Sequence, residues 1–167
     1  MYRTTIITIS DKGFAGQRED GSGPLIREIV EKNGFSVVST LLLPDEQAWL
    51  SRELARICDS GQVDLILTTG GTGFSPRDCT PEATAAVAER LVPGIGEAMR
   101  WHSMQYTKRA MLSRAIAVIR KKTLIINLPG SPKAVKENLE FIIDTLAHGL
   151  DMLLGEGSAD CAAPLKP

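Results

Sequence analysis

Leu65-Ile66-Leu67-Thr68-Thr69-Gly70-Gly71-Thr72-Gly73-Phe74-Ser75-Pro76-Arg77-Asp78 decides the fold of this chain. An apolar run ends in two threonines and passes straight into a turn of small residues. Thr80-Pro81-Glu82 then opens a helix. A buried strand, a glycine-rich turn and a helix start are the parts from which α/β proteins build anion pockets. Glycine tolerates positive φ and lets a ligand approach the backbone, whose N–H groups can face phosphate oxygens. A cation, Arg77, and a carboxylate, Asp78, follow the last glycine closely. No G-x-x-x-x-G-K-[ST] sequence occurs, so the turn is not a P-loop. Gly71 and Gly73 match the first two glycines of a dinucleotide fingerprint, but Pro76 stands in the third place. On spacing alone, an anion-binding turn and a plain tight turn both remain open.

Working outward, the pattern of strand then helix repeats. Thr5–Ile9 is largely β-branched and predicts a first buried strand, ended by Ser10-Asp11. A glycine-rich loop leads to a helix with Pro24 in its first turn, closed at Asn33-Gly34. Phe35–Leu43 predicts a second strand, broken by Pro44-Asp45-Glu46. A helix through Trp49, Leu50, Leu54 and Ile57 follows, with Asp45 placed to cap it. After the glycine turn, a helix is expected from Pro81 to about Arg90, with Val92-Pro93-Gly94-Ile95-Gly96 as an interruption and a second helical piece over Glu97–Tyr106. Ala115–Ile119 and Thr123–Leu128 predict two strands joined at Arg120-Lys121-Lys122. Ser131 suits an N-cap and Pro132 the first turn of a last helix reaching about Leu154.

This alternation predicts a three-layer α/β/α fold with a mainly parallel central sheet and a late hairpin-like addition. Residues 1–155 are expected to form a single domain, and residues 156–167, small and polar, a loose tail. Strands of a parallel sheet end on one rim, where ligands bind. Ser10-Asp11, Pro44-Asp45, the turn from Gly70 to Asp78, and Pro129-Gly130-Ser131 should therefore face a common pocket. Singly, each has a plainer reading. Asp45 suits an N-cap, Asp78 a surface partner of Arg77, and Ser131 a cap. Two carboxylates beside a phosphate turn suit Mg²⁺ coordination, because this ion takes few protein carboxylates and completes its shell with water and phosphate oxygens.

Bulk composition narrows the class. A net charge of -1 over 167 residues, with no basic run beyond Arg120-Lys121-Lys122, offers no electrostatic footprint for nucleic acid. No stretch reaches the roughly 18 apolar residues of a membrane span, and the apolar run after Met1 is too short for a signal peptide. The 3 cysteines form no C-x-x-C pair, which points away from disulfides or zinc and toward a reducing cytoplasm. His102 and His148 lack ligand spacing, and no histidine stands near Cys79 to activate it. Met99, Trp101 and Met104 are expected to pack a core or a subunit contact.

The segment Thr68–Asp78 followed by Thr80-Pro81-Glu82-Ala83-Thr84 resembles the signature of the molybdopterin adenylyltransferases, which include the bacterial MogA type and the gephyrin G domain. Further matches occur in order at Thr8-Ile9-Ser10-Asp11, Gly21-Ser22-Gly23, Leu43-Pro44-Asp45-Glu46, Pro93–Arg100, Leu112-Ser113-Arg114 and Ile125–Ser131. The resemblance implies a molybdopterin-binding domain fold and AMP transfer from Mg-ATP to the terminal phosphate of molybdopterin, with release of pyrophosphate. It places the two essential aspartates at Asp45 and Asp78, as catalytic or Mg²⁺-holding groups. It gives the turn Thr69, Gly70, Gly71, Thr72 and Gly73 a role in binding phosphate and pterin, with Ser10, Asp11, Gly130 and Ser131 lining the same pocket. It further implies a homotrimer and a molybdenum insertase downstream. The MoaB type differs at several of these places. The Pro-Asp-Glu-Gln and Asn-Leu-Pro-Gly segments here resemble the MogA type more closely. A non-catalytic pterin-binding or scaffolding module of the same fold is the alternative.

Overall fold

The structure, a computed structural model, describes residues 1–155. The tail expected over 156–167 lies outside the described residues. Strand β1 spans Tyr2–Ile9 and is followed by one turn of helix, α1, Asp11–Phe14. Then come α2 (Ser22–Lys32), β2 (Phe35–Leu43), α3 (Gln47–Asp59) and β3 (Leu65–Thr69). The second half holds α4 (Thr80–Ala86), β4 (Arg90–Leu91), α5 (Pro93–Met104), a 3-10 turn (Lys108–Leu112), β5 (Ala117–Arg120), β6 (Thr123–Leu128) and α6 (Pro132–Leu154).

The six strands form one sheet in the order β2-β1-β3-β6-β5-β4. β2, β1, β3 and β6 are mutually parallel, whereas β5 runs antiparallel to both β6 and β4. The sheet is thus mixed, with the hairpin expected late in the chain supplying its antiparallel part. Side chains alternate between two cores, as the strand period of two requires. Ile6, Leu65, Leu67, Leu124, Ile126 and Leu128 face one core with α2, α5 and α6. Ile7, Ile9, Ile66 and Ile125 face the other, with α3 and α4. Burial on both faces explains why these strands read as apolar runs without polar alternation. Among the described residues no helix is long and apolar enough to cross a membrane.

Two local expectations change. The alanine-rich helix stops at Ala86, and Arg90-Leu91 becomes an edge strand because the Glu89 N–H donates to the Ile119 carbonyl at 3.0 Å. Helix propensity yields there to a sheet edge that needs pairing. The Pro-Gly segment is not an interruption. Pro93 opens α5, where its missing N–H costs nothing. The chain between α5 and β5 takes a 3-10 turn capped by the Thr107 hydroxyl, which accepts from the Arg109 N–H. As for the residues expected to pack, Met99 is in the core while Trp101 is 60% exposed.

Candidate active site

The carboxyl ends of β1, β2, β3 and β6 lie side by side. Ile9 pairs with Leu43, Thr8 with Thr69, and Thr69 with Leu128. The four predicted loops therefore share one rim, and they enclose an open cavity of about 570 Å³. Ser10, Asp45, Thr69, Gly70, Gly71, Asp78, Gly130 and Ser131 all line it. Thr72 and Gly73 line instead a smaller cavity of about 300 Å³ on the other side of the turn. Asp11 lines neither; it acts on the site through its neighbours, as described below.

The turn needs glycine at two positions. Gly70 has φ +99, and a Cβ there would sit 2.2 Å from the Ile9 carbonyl oxygen. Gly71 has φ +64, and its Cβ would sit 2.4 Å from Thr80 Oγ1 and 3.0 Å from Asp45 Oδ1. Both conformations are ones that side-chain-bearing residues rarely take. Thr80 anchors the turn to α4: its N–H donates to the Gly71 carbonyl at 3.1 Å and its hydroxyl to the Gly70 carbonyl at 2.9 Å. The N–H groups of Gly71, Gly130 and Ser131 donate to no acceptor among the described residues. The cavity is thus rimmed by unengaged backbone donors, a concavity suited to anions.

Asp45 does not cap α3. Glu46 occupies the N-cap position without a side-chain cap bond. Instead, Asp45 Oδ2 accepts from the Asp11 N–H and Asp11 Oδ1 accepts from the Asp45 N–H, both at 3.0 Å. This reciprocal pair locks the ends of β1 and β2 together. Burial pushes the Asp45 carboxyl above its ordinary range; the Asp11 N–H opposes this, and the charges of Asp11 and Asp78 add to it. Asp11 moves the other way, because hydrogen bonds from Arg77 hold its carboxyl below the usual range. Arg77 therefore does not pair with Asp78. Its Nε and Nη2 reach the two Asp11 oxygens at 2.9 and 3.0 Å, a bidentate bridge from the glycine turn to the end of β1.

Asp78 folds back on its own loop. Its Oδ2 accepts from the Gly73 N–H at 2.8 Å and the Ser75 N–H at 3.3 Å, and its Oδ1 accepts nothing among the described residues. Asp45 Oδ1 is likewise unengaged. Each aspartate keeps one carboxylate oxygen for the cavity, and their charges interact. Among the described residues no group of three or more His, Cys, Asp or Glu is placed to hold a metal. Two aspartates alone still fit a magnesium ion, which takes the rest of its shell from water and phosphate.

The other predicted residues divide by what their side chains do. Ser10 and Ser131 are N-caps, accepting from the Gly13 N–H at 3.0 Å and the Ala134 N–H at 3.3 Å. The Thr69 hydroxyl donates to the Pro129 carbonyl at 2.6 Å, tying β3 to the loop after β6. Burial pushes the Cys79 thiol up, so it is no poised nucleophile. Asp20 lines the cavity beside Arg18 and Glu19, and the sequence alone singled out none of the three. Asp20 accepts from the Ser22 and Gly23 N–H groups at 3.0 and 2.9 Å and from the Thr8 hydroxyl at 2.6 Å. Asp20-Gly-Ser-Gly looks like any polar loop, and only the return of Thr8 beside it shows that the loop is pinned to β1.

A family model described as a probable molybdopterin binding domain matches residues 5–148. The chain belongs to the molybdopterin-binding domain family. Among its relatives, a molybdopterin adenylyltransferase from Helicobacter pylori is 41% identical over 152 residues, covering 90% of this chain and 86% of the relative. One from Escherichia coli K12 is 43% identical over 155 residues, covering 89% and 79%. The crystal structure of the molybdopterin biosynthesis enzyme MoaB from Thermus thermophilus superposes with a TM-score of 0.88 at 46% identity, covering 93% of this chain and 98% of that one. The separated motifs thus identified the family correctly. The likeness to a protein named MoaB is one that the Pro-Asp-Glu-Gln and Asn-Leu-Pro-Gly segments did not anticipate.

Proposed function

We propose that this chain is a molybdopterin adenylyltransferase of molybdenum cofactor biosynthesis, moving AMP from Mg-ATP to the terminal phosphate of molybdopterin. The observation that carries the reading is the pairing, in one cavity, of two aspartates with unengaged oxygens and a rim of unengaged backbone N–H groups. In the transfer, an oxygen of the pterin phosphate bonds to the α-phosphorus of ATP as the bond to the β-phosphate bridging oxygen breaks, and pyrophosphate leaves. The nucleophile is already ionised near neutral pH, so no side chain need remove its proton. What remains for the protein is to hold two polyanions in line and offset their charge. Gly71, Gly130 and Ser131 offer N–H donors for phosphate oxygens, while Asp45 and Asp78 would hold Mg²⁺ or orient the substrates. Magnesium, when bound, supplies charge neutralisation on the phosphates. Ser10, Thr69, Gly70 and the Asp11–Arg77 bridge keep these groups in place.

The unit that does this is proposed to be residues 1–155, acting in the cytoplasm as a homotrimer and handing its adenylylated pterin to a molybdenum insertase. The similarity to relatives named molybdopterin adenylyltransferase supports the activity. The test is to incubate the protein with ATP, Mg²⁺ and molybdopterin and to follow the adenylylated pterin by chromatography. Wild type should form it, and Asp78→Ala should fold normally and form none. Tight pterin binding by wild type with no product would instead mark a non-catalytic binding module.

A further inference from the structure

Arg114 lies between the 3-10 turn and β5 and lines neither cavity at the site. It nevertheless holds the loop that carries Asp78 at both ends. Its N–H donates to the Thr72 carbonyl at 2.9 Å and its Nε to the Gly73 carbonyl at 2.7 Å. Its Nη2 donates to the Asp78 carbonyl at 3.0 Å, and its Nη1 pairs with Glu82 in the first turn of α4. Within the loop itself the closure is the Asp78 carboxylate on the Gly73 and Ser75 N–H groups, with the Asp78 N–H donating to the Ser75 carbonyl at 2.9 Å. Gly73 is thus held from both sides: its N–H by the Asp78 carboxylate and its carbonyl by Arg114. No other side chain among the described residues donates to the carbonyls of Gly73 and Asp78.

We infer that Arg114 is the positioning residue for Asp78, acting on AMP transfer through that carboxylate without touching either substrate. The inference rests on the reading of Asp78 as a carboxylate of the transfer site. A planar guanidinium is suited to the task because it sends donors in several fixed directions at once. Here it reaches two backbone carbonyls five positions apart, those of Gly73 and Asp78, and the Glu82 carboxylate. A lysine ammonium is a compact point charge and cannot span them. With Arg114 gone, the loop keeps its fold through Asp78 but loses its fixed position against β5 and α4. The unengaged Asp78 oxygen then no longer has a set direction into the cavity. Displacements on the order of 1 Å in such a site cost about 100-fold in rate.

The experiment compares full-length wild type, Arg114→Gln, Arg114→Lys, Asp78→Asn, Asp78→Glu and the double variant Asp78→Glu/Arg114→Gln. AMP transfer is followed with radiolabelled ATP, and folding is checked by circular dichroism. Arg114→Gln should lower kcat by about 10–100-fold, with KM for ATP and for molybdopterin within about 3-fold of wild type. Arg114→Lys should recover little of that loss. In the Asp78→Glu background, where the carboxylate is already displaced, Arg114→Gln should cost less than about 3-fold more. An equal loss in both backgrounds, a loss confined to KM, or wild-type turnover by Arg114→Gln would overturn the inference. Failure of both Arg114 variants to fold would make the residue a determinant of the fold and overturn it as well. Wild-type transfer by Asp78→Asn is a different result: it removes the underlying reading of Asp78.

Discussion

Replacing Gly71 by alanine tests the architecture of the site without adding or removing a charge. The residue sits at φ +64, where an alanine costs about 1–2 kcal/mol. Its added Cβ would lie 2.4 Å from Thr80 Oγ1, closer than real contacts allow, and 3.0 Å from Asp45 Oδ1. Thr80 is fully buried, and its hydroxyl is spent on the Gly70 carbonyl at 2.9 Å. Pushing it aside breaks that hydrogen bond in a buried place, for about 1–3 kcal/mol. Gly71→Ala should therefore lower stability by about 2–5 kcal/mol in urea unfolding at neutral pH. Two companions separate the causes. In a Thr80→Ala background the contact is gone, so Gly71→Ala should cost only the conformational part, about 1–2 kcal/mol. Gly149→Ala, inside α6 with open space around its Cβ position, should stabilise by about 0.5–1 kcal/mol. A Gly71→Ala protein within about 0.5 kcal/mol of wild type would refute the conformation assigned to the turn.

Three further outcomes follow from the same structure. Because the folded state raises the Asp45 carboxyl, its ionised form is disfavoured above that raised value; Asp45→Asn should lose AMP transfer yet melt at a higher temperature than wild type at pH 7, checked by calorimetry. Asp64 behaves oppositely: burial would raise it, but hydrogen bonds and charge from Arg3, 2.6 Å away, outweigh this and hold it below its ordinary range. Its contribution is complete above the unfolded carboxylate value of about 3.9 and is lost as pH falls through the folded value, so the stability gap between wild type and Asp64→Asn should shrink steadily on acidification in urea titrations. Asn127, fully buried on β6, donates to the Thr68 and Thr84 hydroxyls at 3.0 and 2.9 Å and accepts from the Ile116 N–H, so Asn127→Ala should cost about 2–4 kcal/mol in urea unfolding.

Strands were the most legible part of the chain. Phe35–Leu43 and Thr123–Leu128 have the bounds that their apolar runs and flanking breakers predict. The glycine turn was legible for the same reason, since its conformation is written into its own residues. Legibility failed where a residue answers to a distant partner. Arg90-Leu91 joins a sheet edge because Ile119 and Val118 lie beside it. Arg77 has Asp78 next to it in sequence but pairs with Asp11, 66 positions away. Asp45 has the surroundings of an N-cap, and its carboxylate is taken up by the Asp11 N–H instead.

By itself, then, the sequence determined where the long strands and most of the helices lie, that most strands run parallel, and that four loops meet on one rim. These follow from local propensity and from the common direction of parallel strands. Only the tertiary structure decided which oxygen of each aspartate is occupied and which is left for the cavity. It alone showed that Arg77 braces Asp11 and that Arg114 grips the far side of the turn. Side-chain hydrogen bonds depend on distances between chain segments tens of residues apart, and those distances exist only once the sheet has formed.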